Sequence, residues 1–290
     1  SITREREKDM SLFVNTNINS LIAQRSLNTA SSGLQSAIKR LSTGYRVNQA
    51  GDDAAGLCVA QGLDTQIRGN KRALLNIQDG LNMMYIAEGG MSGVTEDLQR
   101  IRELCIQAAN GVYSEDQQQT LFNEVDQRLE DIDVIANTTI FNGLNLSNGE
   151  IQKAVTLQSG CGSDTPNNSI DITGALTDMN VSALGVESTL NGTSTGDEIR
   201  AYIAKLDEAI DLISENRSML GAYQNRLQSA ANNLTVMNEN YEQSKSQIMD
   251  CDMAEESANM VKYQVLQQTS AAMLSQANNI PSIALQLLGQ

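Results

Sequence analysis

From residue 27 onward the apolar positions of this chain recur at alternating spacings of three and four. Leu27, Ala30, Leu34, Ala37 and Leu41 open the pattern and Gly44 interrupts it. That spacing is the a/d signature of a helix packing along a seam. A longer run follows, in which Ile67, Leu74, Ile77 and Leu81 lead into Met84, Ala87, Met91, Val94, Leu98, Ile101, Cys105 and Ala108. Gly111 is its expected C-cap. Ser114 reads as the N-cap of a third helix, with Gln117 at the capping-box position and Phe122, Val125, Leu129, Ile132 and Ala136 as the apolar face. The clearest repeat comes later. Leu206, Ile213, Leu220, Leu227, Leu234 and Tyr241 stand seven residues apart, and Ile203, Ile210, Arg217, Gln224, Ala231 and Asn238 fill the alternate seam. A helix from about Asp197 to about Gln247 spans roughly 75 Å, a rod rather than a globule. The last helix carries Ala254, Ala258, Val261 and Val265, then Gln268 and Ala272, and is expected to end near Pro281, before an apolar tail of Ile283, Leu285, Leu287 and Leu288.

Between Thr139 and Asn191 the helical period disappears. Asn148-Gly149 is a two-residue hairpin signal, flanked by Leu144 and Leu146 on one side and Ile151, Val155 and Leu157 on the other. Ile170 and Ile172 then alternate with polar neighbours. The expected fold is therefore mainly α: a long antiparallel coiled-coil-like rod with its N- and C-terminal helices paired, plus a small β-hairpin region in the middle of the chain. Its parts are a leader at 1–9, terminal helices at 10–53 with 250–290, a helical rod at 54–138 with 192–249, and a hairpin insert at 139–191.

Charge adds to this picture through its placement. Met10 to Gln24 holds no charged residue, and from Ser257 to Gln290 only Lys262 is charged. Termini of soluble monomers are usually polar and mobile, so these read as surfaces to be buried. The first arm brings Arg25, Lys39, Arg40 and Arg46, and the approach to the last brings Asp250, Asp252, Glu255 and Glu256. Opposite signs favour the arms lying side by side. The net charge of −15 sits mostly in the middle of the chain.

Composition narrows the chemistry. The chain of 290 residues has no His and no Trp, 3 Phe, 7 Tyr and 2 Pro. Without His there is no His base, His-containing triad or His metal ligand. An acidic surface is a poor match for phosphates. No apolar run reaches the roughly 18 residues of a membrane span, and no secretory signal peptide is visible; the expectation is a soluble protein. Cys58, Cys105, Cys161 and Cys251 form no CxxC. Cys58 and Cys105 read as small buried hydrophobes and Cys161 as exposed. Met83, Met84 and Met91 read as core packing. Asp250, Asp252, Glu255 and Glu256 resemble a magnesium cluster less than a dipole-favoured first turn. Asp52-Asp53 lacks a phosphate-loop motif, and Asn191-Gly192-Thr193 is a chance-level glycosylation triplet. No nucleophile, base and orienting group converge, so neither enzyme nor cofactor nor metal is expected.

The motifs resemble those of bacterial flagellin. Asn15-Thr16-Asn17-Ile18-Asn19-Ser20-Leu21 is similar to the family's opening, and Arg40 with Leu41-Ser42-Thr43-Gly44-Tyr45-Arg46-Val47-Asn48 matches its R-L-S-[ST]-G-x-[RK]-[IV]-N pattern. Asp52 to Gly56, Leu98 to Asn110, Phe141-Asn142-Gly143, Gln224 to Leu227, Asp250 to Glu256 and Ser275 to Asn278 follow in the family's order. The resemblance covers both terminal thirds. It implies a short filament subunit, lacking large outer domains, that polymerises for motility. Such subunits leave through the flagellar type III channel, which accounts for the missing signal peptide.

The resemblance also implies terminal helices that line the filament core. Helices that order only in the polymer pay their entropy at assembly, so the arms of the free subunit are expected to be disordered. A core-assembly and chaperone-binding helix would include Val261, Val265, Ala272, Leu285 and Leu288. A surface at Gln99, Arg100, Leu104 and Glu124 is similar to the one vertebrate Toll-like receptor 5 recognises, with packing between neighbouring subunits as its other use. Partners implied are self, an export chaperone, and hook-associated and cap proteins, with no nucleic acid and no membrane; the location implied is the extracellular filament. Ser1 to Asp9 has no family counterpart and is expected to be absent from the mature subunit. A hook–filament junction protein shares such ends, although the Leu98 to Asn110 motif and the Ser275 to Leu288 ending favour flagellin. A coiled-coil type III tip or adaptor protein is the alternative of another class.

Overall fold

The charge-poor, Ala- and Leu-spaced stretch of the first arm forms helix α1 (Ile18–Thr43), started by Asn17, whose side chain accepts from the Ser20 amide, and stopped by Gly44 in the left-handed region at φ 75°. The structure is a computed structural model that describes residues 16–149 and 154–288, without the side chains of residues 165 and 280–288. The expectations for Ser1 to Asn15, for Ile151 and for the side chains of Leu285 and Leu288 lie outside the described residues. The other helices are α2 (Ala54–Ala108), α3 (Glu115–Thr138), the one-turn α4 (Thr165–Asn168) and α5 (Val181–Leu184), α6 (Gly196–Met249) and α7 (Met253–Leu288). Strands β1 (Ile140–Phe141) and β2 (Leu144–Asn145) form one antiparallel hairpin, and β3 (Thr156–Gln158) pairs antiparallel with β4 (Ser169–Asp171). The chain is thus mainly helical with two small hairpins in its middle. No described helix is long and apolar enough to cross a membrane.

The chain divides into two units, Ser1–Asp64 with Glu242–Gln290 and Thr65–Tyr241. In the second, α2, α3 and α6 share one core. Phe122, Val125, Leu129, Ile132 and Ala136 are all buried, as are Leu206, Ile213, Leu220, Leu227 and Leu234, and they pack with Met84, Met91, Leu98 and Ile101. Helix α6 uses a wider face than its heptad implies. Its second fully buried series runs through Tyr202, Ala209 and Asn216, one residue before the expected Ile203, Ile210 and Arg217, which are half-buried. A helix facing two neighbours needs a broader stripe than a two-helix seam.

The third helix begins as its sequence dictates: Ser114 Oγ accepts from the Gln117 amide while the Gln117 side chain accepts from the Ser114 amide. Gly111 does not cap α2. The helix ends three residues earlier, and Gln118 of α3 donates to the Ala108 carbonyl at 3.0 Å, so an outside amide satisfies a terminal acceptor. The hairpin also forms elsewhere than at Asn148-Gly149. The turn between β1 and β2 is Asn142-Gly143, with φ of 47° and 80°. A type I′ turn needs both central residues at positive φ; of the second pair only Gly149 has it.

In the first unit α1 and α7 pack along each other. Beyond α1, Arg46 N donates to Met249 O at 2.6 Å and Cys251 N to Gly44 O at 3.0 Å, with Tyr45 and Asp250 bridged antiparallel. Helix α7 does not stop at Pro281 but continues to Leu288. Proline has no amide to offer the carbonyl four residues back. Here that carbonyl, on Ala277, accepts instead from Asn17 Nδ2 at 2.7 Å.

Candidate assembly surfaces

At the contact between the terminal helices the buried side chains are small or polar, while Leu27, Leu34 and Leu41 of α1 and Leu274 of α7 are half-buried. Helix α1 contributes Ala23, Ala30 and Ala37, all buried. Helix α7 answers with one face: Glu256, Tyr263, Gln267 and Ala277. Tyr263 lies flat against Gly33, where an added β-carbon would stand 2.5 Å from the ring. Gln267 Nε2 donates to Ser31 Oγ at 3.2 Å, and Arg40 Nη1 donates to Glu256 Oε1 at 2.7 Å. The opposite charges of the two arms do meet, at this pair.

Several larger apolar side chains face away from the contact. Val261 and Val265 on α7 are 54% and 55% exposed, with Met273 at 61%; Leu21 and Ile22 on α1 are each 55% exposed. Ala272 is exposed on the same side of α7. A groove of about 370 Å³ runs between the helices, lined by Ile22, Ala23, Thr269, Met273 and Ala277 among others. The periodic stripe read from the last helix is therefore not spent within the chain.

A separate surface lies in the second unit. Arg100, on the exposed side of α2, donates through Nε and Nη2 to Glu124 Oε1 of α3 at 3.1 and 3.0 Å and through Nη1 to Glu103 at 3.3 Å. The side-chain bond to Glu124 is the main cause that raises the Arg100 guanidinium above its ordinary value. Gln99 is exposed beside it. Leu104 is not on this surface. It is 1% exposed in the core, because it falls on the apolar stripe next to Ile101 and Cys105, so it supports the surface from below.

The remaining candidate chemistry resolves into structure. Asp252 Oδ1 accepts from the Ala254 and Glu255 amides at the start of α7. Glu256 serves Arg40. Asp52 Oδ2 accepts from the Asn48 and Gln49 amides, and the Asn48 bond is the chief cause holding its carboxyl below the usual range. Asp53 Oδ1 accepts from Gly56 N at the start of α2. Asn191 Oδ1 closes its own turn by accepting from Thr193. Among the described residues no group of three acidic or sulfur side chains is placed to hold a metal.

Met83, Met84 and Met91 are in the core, and Cys105 is buried, its thiol pushed up to about 12 by burial. Cys161 is exposed as expected; Cys58 is exposed too, contrary to its reading as a core hydrophobe, because its place near the start of α2 lies off the packed face. Asn17 stands in the opening motif, and its second role, as donor to the Ala277 carbonyl, joins opposite ends of the chain and has no local sequence signal.

Models of known families match this sequence at both ends: the bacterial flagellin N-terminal helical region over residues 14–152 and the flagellin C-terminal helical region over residues 203–288. The chain is 37% identical over 286 residues to the flagellar filament 33 kDa core protein of Treponema phagedenis, covering 96% of this chain and 100% of the relative. It is 37% identical over 277 residues to a flagellin of Halalkalibacterium halodurans, with the same coverages. A crystal structure of Bacillus cereus flagellin aligns with 28% identity and a TM-score of 0.47 over 55% of this chain and 88% of that one. Matched at both termini and along nearly its whole length, the chain belongs to the bacterial flagellin family.

Proposed function

We infer that this protein is the repeating structural subunit of a bacterial flagellar filament. The observation that carries the reading is the terminal helix pair, whose mutual contact uses alanines while Leu21, Ile22, Val261 and Val265 point outward. Apolar area left open on a charge-poor element is area for a neighbour. A contact that joins different faces of identical subunits, and whose rotation does not close, produces an open helical polymer. In this reading residues 10–53 with 250–290 line the core, 54–138 with 192–249 surround it, and 139–191 lie outermost. The subunit works by assembly for swimming motility and performs no catalysis.

The same reading has the subunit exported through the flagellar type III channel into the extracellular filament. An export chaperone covers the helix from Val261 through Leu288, and hook-associated and cap proteins bound the polymer. The Gln99, Arg100 and Glu124 surface is the one offered to Toll-like receptor 5 by released subunits, with Leu104 behind it. A reporter-cell assay tests that part: wild type activates and Arg100→Ala is weaker, whereas equal silence of both refutes it.

Seeded polymerisation followed by electron microscopy tests the main reading. Wild type is expected to elongate seeds into long filaments. Val261→Asp with Val265→Asp is expected to block elongation while the second unit keeps its thermal transition. A wild type that never elongates, or a double variant that elongates normally, rejects it.

A further inference from the structure

In the core of the second unit, polar side chains replace apolar ones on both sides of one helix seam. On α2 the residues Asn70, Ile77, Met84, Met91, Leu98 and Cys105 recur every seven positions, and each is at most 1% exposed. Asn70 breaks this otherwise apolar series. On α6, one turn beyond buried Leu234, Asn238 is 7% exposed. Asn70 Nδ2, a donor, and Asn238 Oδ1, an acceptor, each have no hydrogen-bond partner in the protein. Neighbouring contacts fix their level. Gln224 Nε2 donates to Glu88 Oε2 at 3.0 Å and Arg102 Nε to Asp207 Oδ1 at 2.6 Å, so α2 and α6 run antiparallel. With equal rise on both helices, these two contacts put Asn70 opposite residues 239 to 242. Asn238 therefore stands within about one helical turn of it.

We propose that Asn70 and Asn238 are the register-determining pair of the α2–α6 seam, their complementary amides joined from Nδ2–H to Oδ1 through one bridging water. The need for such a pair follows from the repeats themselves. Both helices present apolar residues every seven positions, so sliding one past the other by seven residues, about 10 Å, again sets apolar groups against apolar groups. The buried amides oppose it, as do the more exposed Gln224–Glu88 and Arg102–Asp207 contacts between the same helices. In one direction the slip puts Asn238 beside Ile77 and in the other it puts Asn70 beside Ala231, and either way the two buried amides lose each other. Polar residues at seam positions are best attested in this role, giving up stability to select one alignment. For a repeating subunit the benefit is that every copy displays its outer groups at the same spacing. The inference concerns contacts within one chain and stands or falls apart from the filament reading.

Asp64 and Lys245 form an ion pair between the same two helices, and a zero-length carbodiimide cross-link between them, located by peptide mass spectrometry, reports the alignment. In wild type this cross-link is expected to dominate. Asn70→Leu and Asn238→Leu are each expected to lower the urea midpoint, because each leaves one amide facing a hydrocarbon. The double variant Asn70→Leu/Asn238→Leu is expected to recover the wild-type midpoint or exceed it, and yet to lose the Asp64–Lys245 cross-link several-fold as slipped chains accumulate. A double variant with wild-type cross-link yield overturns the proposal. So do single variants with unchanged midpoints, or a double variant that fails to fold, since Leu has the same branched side-chain skeleton as Asn and suits an apolar seam.

Discussion

Arg40 Nη1 donates to Glu256 Oε1 across 2.7 Å and 216 positions of sequence, tying the last turn of α1 to the first turn of α7. The Glu256 side chain is 10% exposed and that of Arg40 is 34% exposed. The hydrogen bond to Glu256 is also what raises the Arg40 guanidinium above its ordinary value. Arg40→Met leaves a nearly buried carboxylate without a countercharge and is expected to cost on the order of 1–3 kcal/mol, less than for a fully enclosed pair because water reaches the arginine. Glu256→Gln, which needs no countercharge, is expected to cost less. Hydrogen exchange resolved by peptide checks both, with protection lost in α1 and α7 and retained in α3.

Asn17 satisfies two groups at once, accepting from Ser20 N at 3.0 Å and donating to Ala277 O at 2.7 Å. Asn17→Ala removes a cap and orphans a carbonyl, for an expected loss of about 1–2 kcal/mol. In Pro281→Ala the residue-281 amide can reach Ala277 O, so the effect of Asn17→Ala should shrink in that background. A double-mutant cycle on the stability of the first unit reads the coupling; strictly additive losses would show that the two ends of the chain do not share that carbonyl.

Tyr263 occupies the space a side chain at residue 33 would need. Gly33→Leu is expected to push α1 and α7 apart, whereas Gly33→Ala combined with Tyr263→Ala should restore their approach at the cost of the lost ring. Limited proteolysis of the terminal segments distinguishes the variants: rapid trimming for Gly33→Leu, and slower trimming for the double change.

The four thiols should react in order of access. Cys58 and Cys161 are exposed, Cys251 is half-buried and Cys105 is enclosed, so native alkylation at neutral pH is expected to spare Cys105 until the second unit unfolds. The same residue gives an alkaline signature. Burial raises its thiol from 9.0 to about 12, so between these values the unfolded chain holds fewer protons than the folded one. The stabilisation is complete below pH 9 and is lost as pH rises through about 12, with a limiting slope of about 1.4 kcal/mol per pH unit. Tyr202 is shifted upward by burial and acts in the same direction. Cys105→Ala should flatten the fall in melting temperature above pH 9; an unchanged profile would mean that the thiol does not stay protonated in the core.

Much of the second unit was readable because its residues obey one rule at a time. Leu206 to Leu234 keep a seven-residue beat and are buried; Ser114 and Gln117 cap as their spacing says. The first unit was harder to read for a physical reason. Two helices can meet along a stripe one or two residues wide, and here Ala30, Gly33 and Ala37 let Tyr263 and Gln267 come close, so the most apolar stripe of α7, through Val261 and Val265, marks the outside. Local signals also compete. Asn142-Gly143 and Asn148-Gly149 are the same dipeptide, and the first forms the tight hairpin because both of its residues, unlike Asn148, adopt positive φ. The continuation through Pro281 depends on a donor 264 positions away in sequence, and no local window contains it. Of the surface candidates, Gln99 and Arg100 are exposed and Glu124 is half-buried, while Leu104 shares the stretch of Gln99 and Arg100 and points to the other side of its helix.

The alanine-lined contact between α1 and α7 has a thermal consequence. When these helices meet each other Leu21, Ile22, Val261, Val265 and Met273 stay exposed, so the apolar area these carry is removed from water only when a further copy arrives. Subunit addition should then carry a large negative heat-capacity change and be driven by water release near room temperature. Such a drive weakens on cooling, so a polymer held together in this way sheds subunits from its ends faster in the cold.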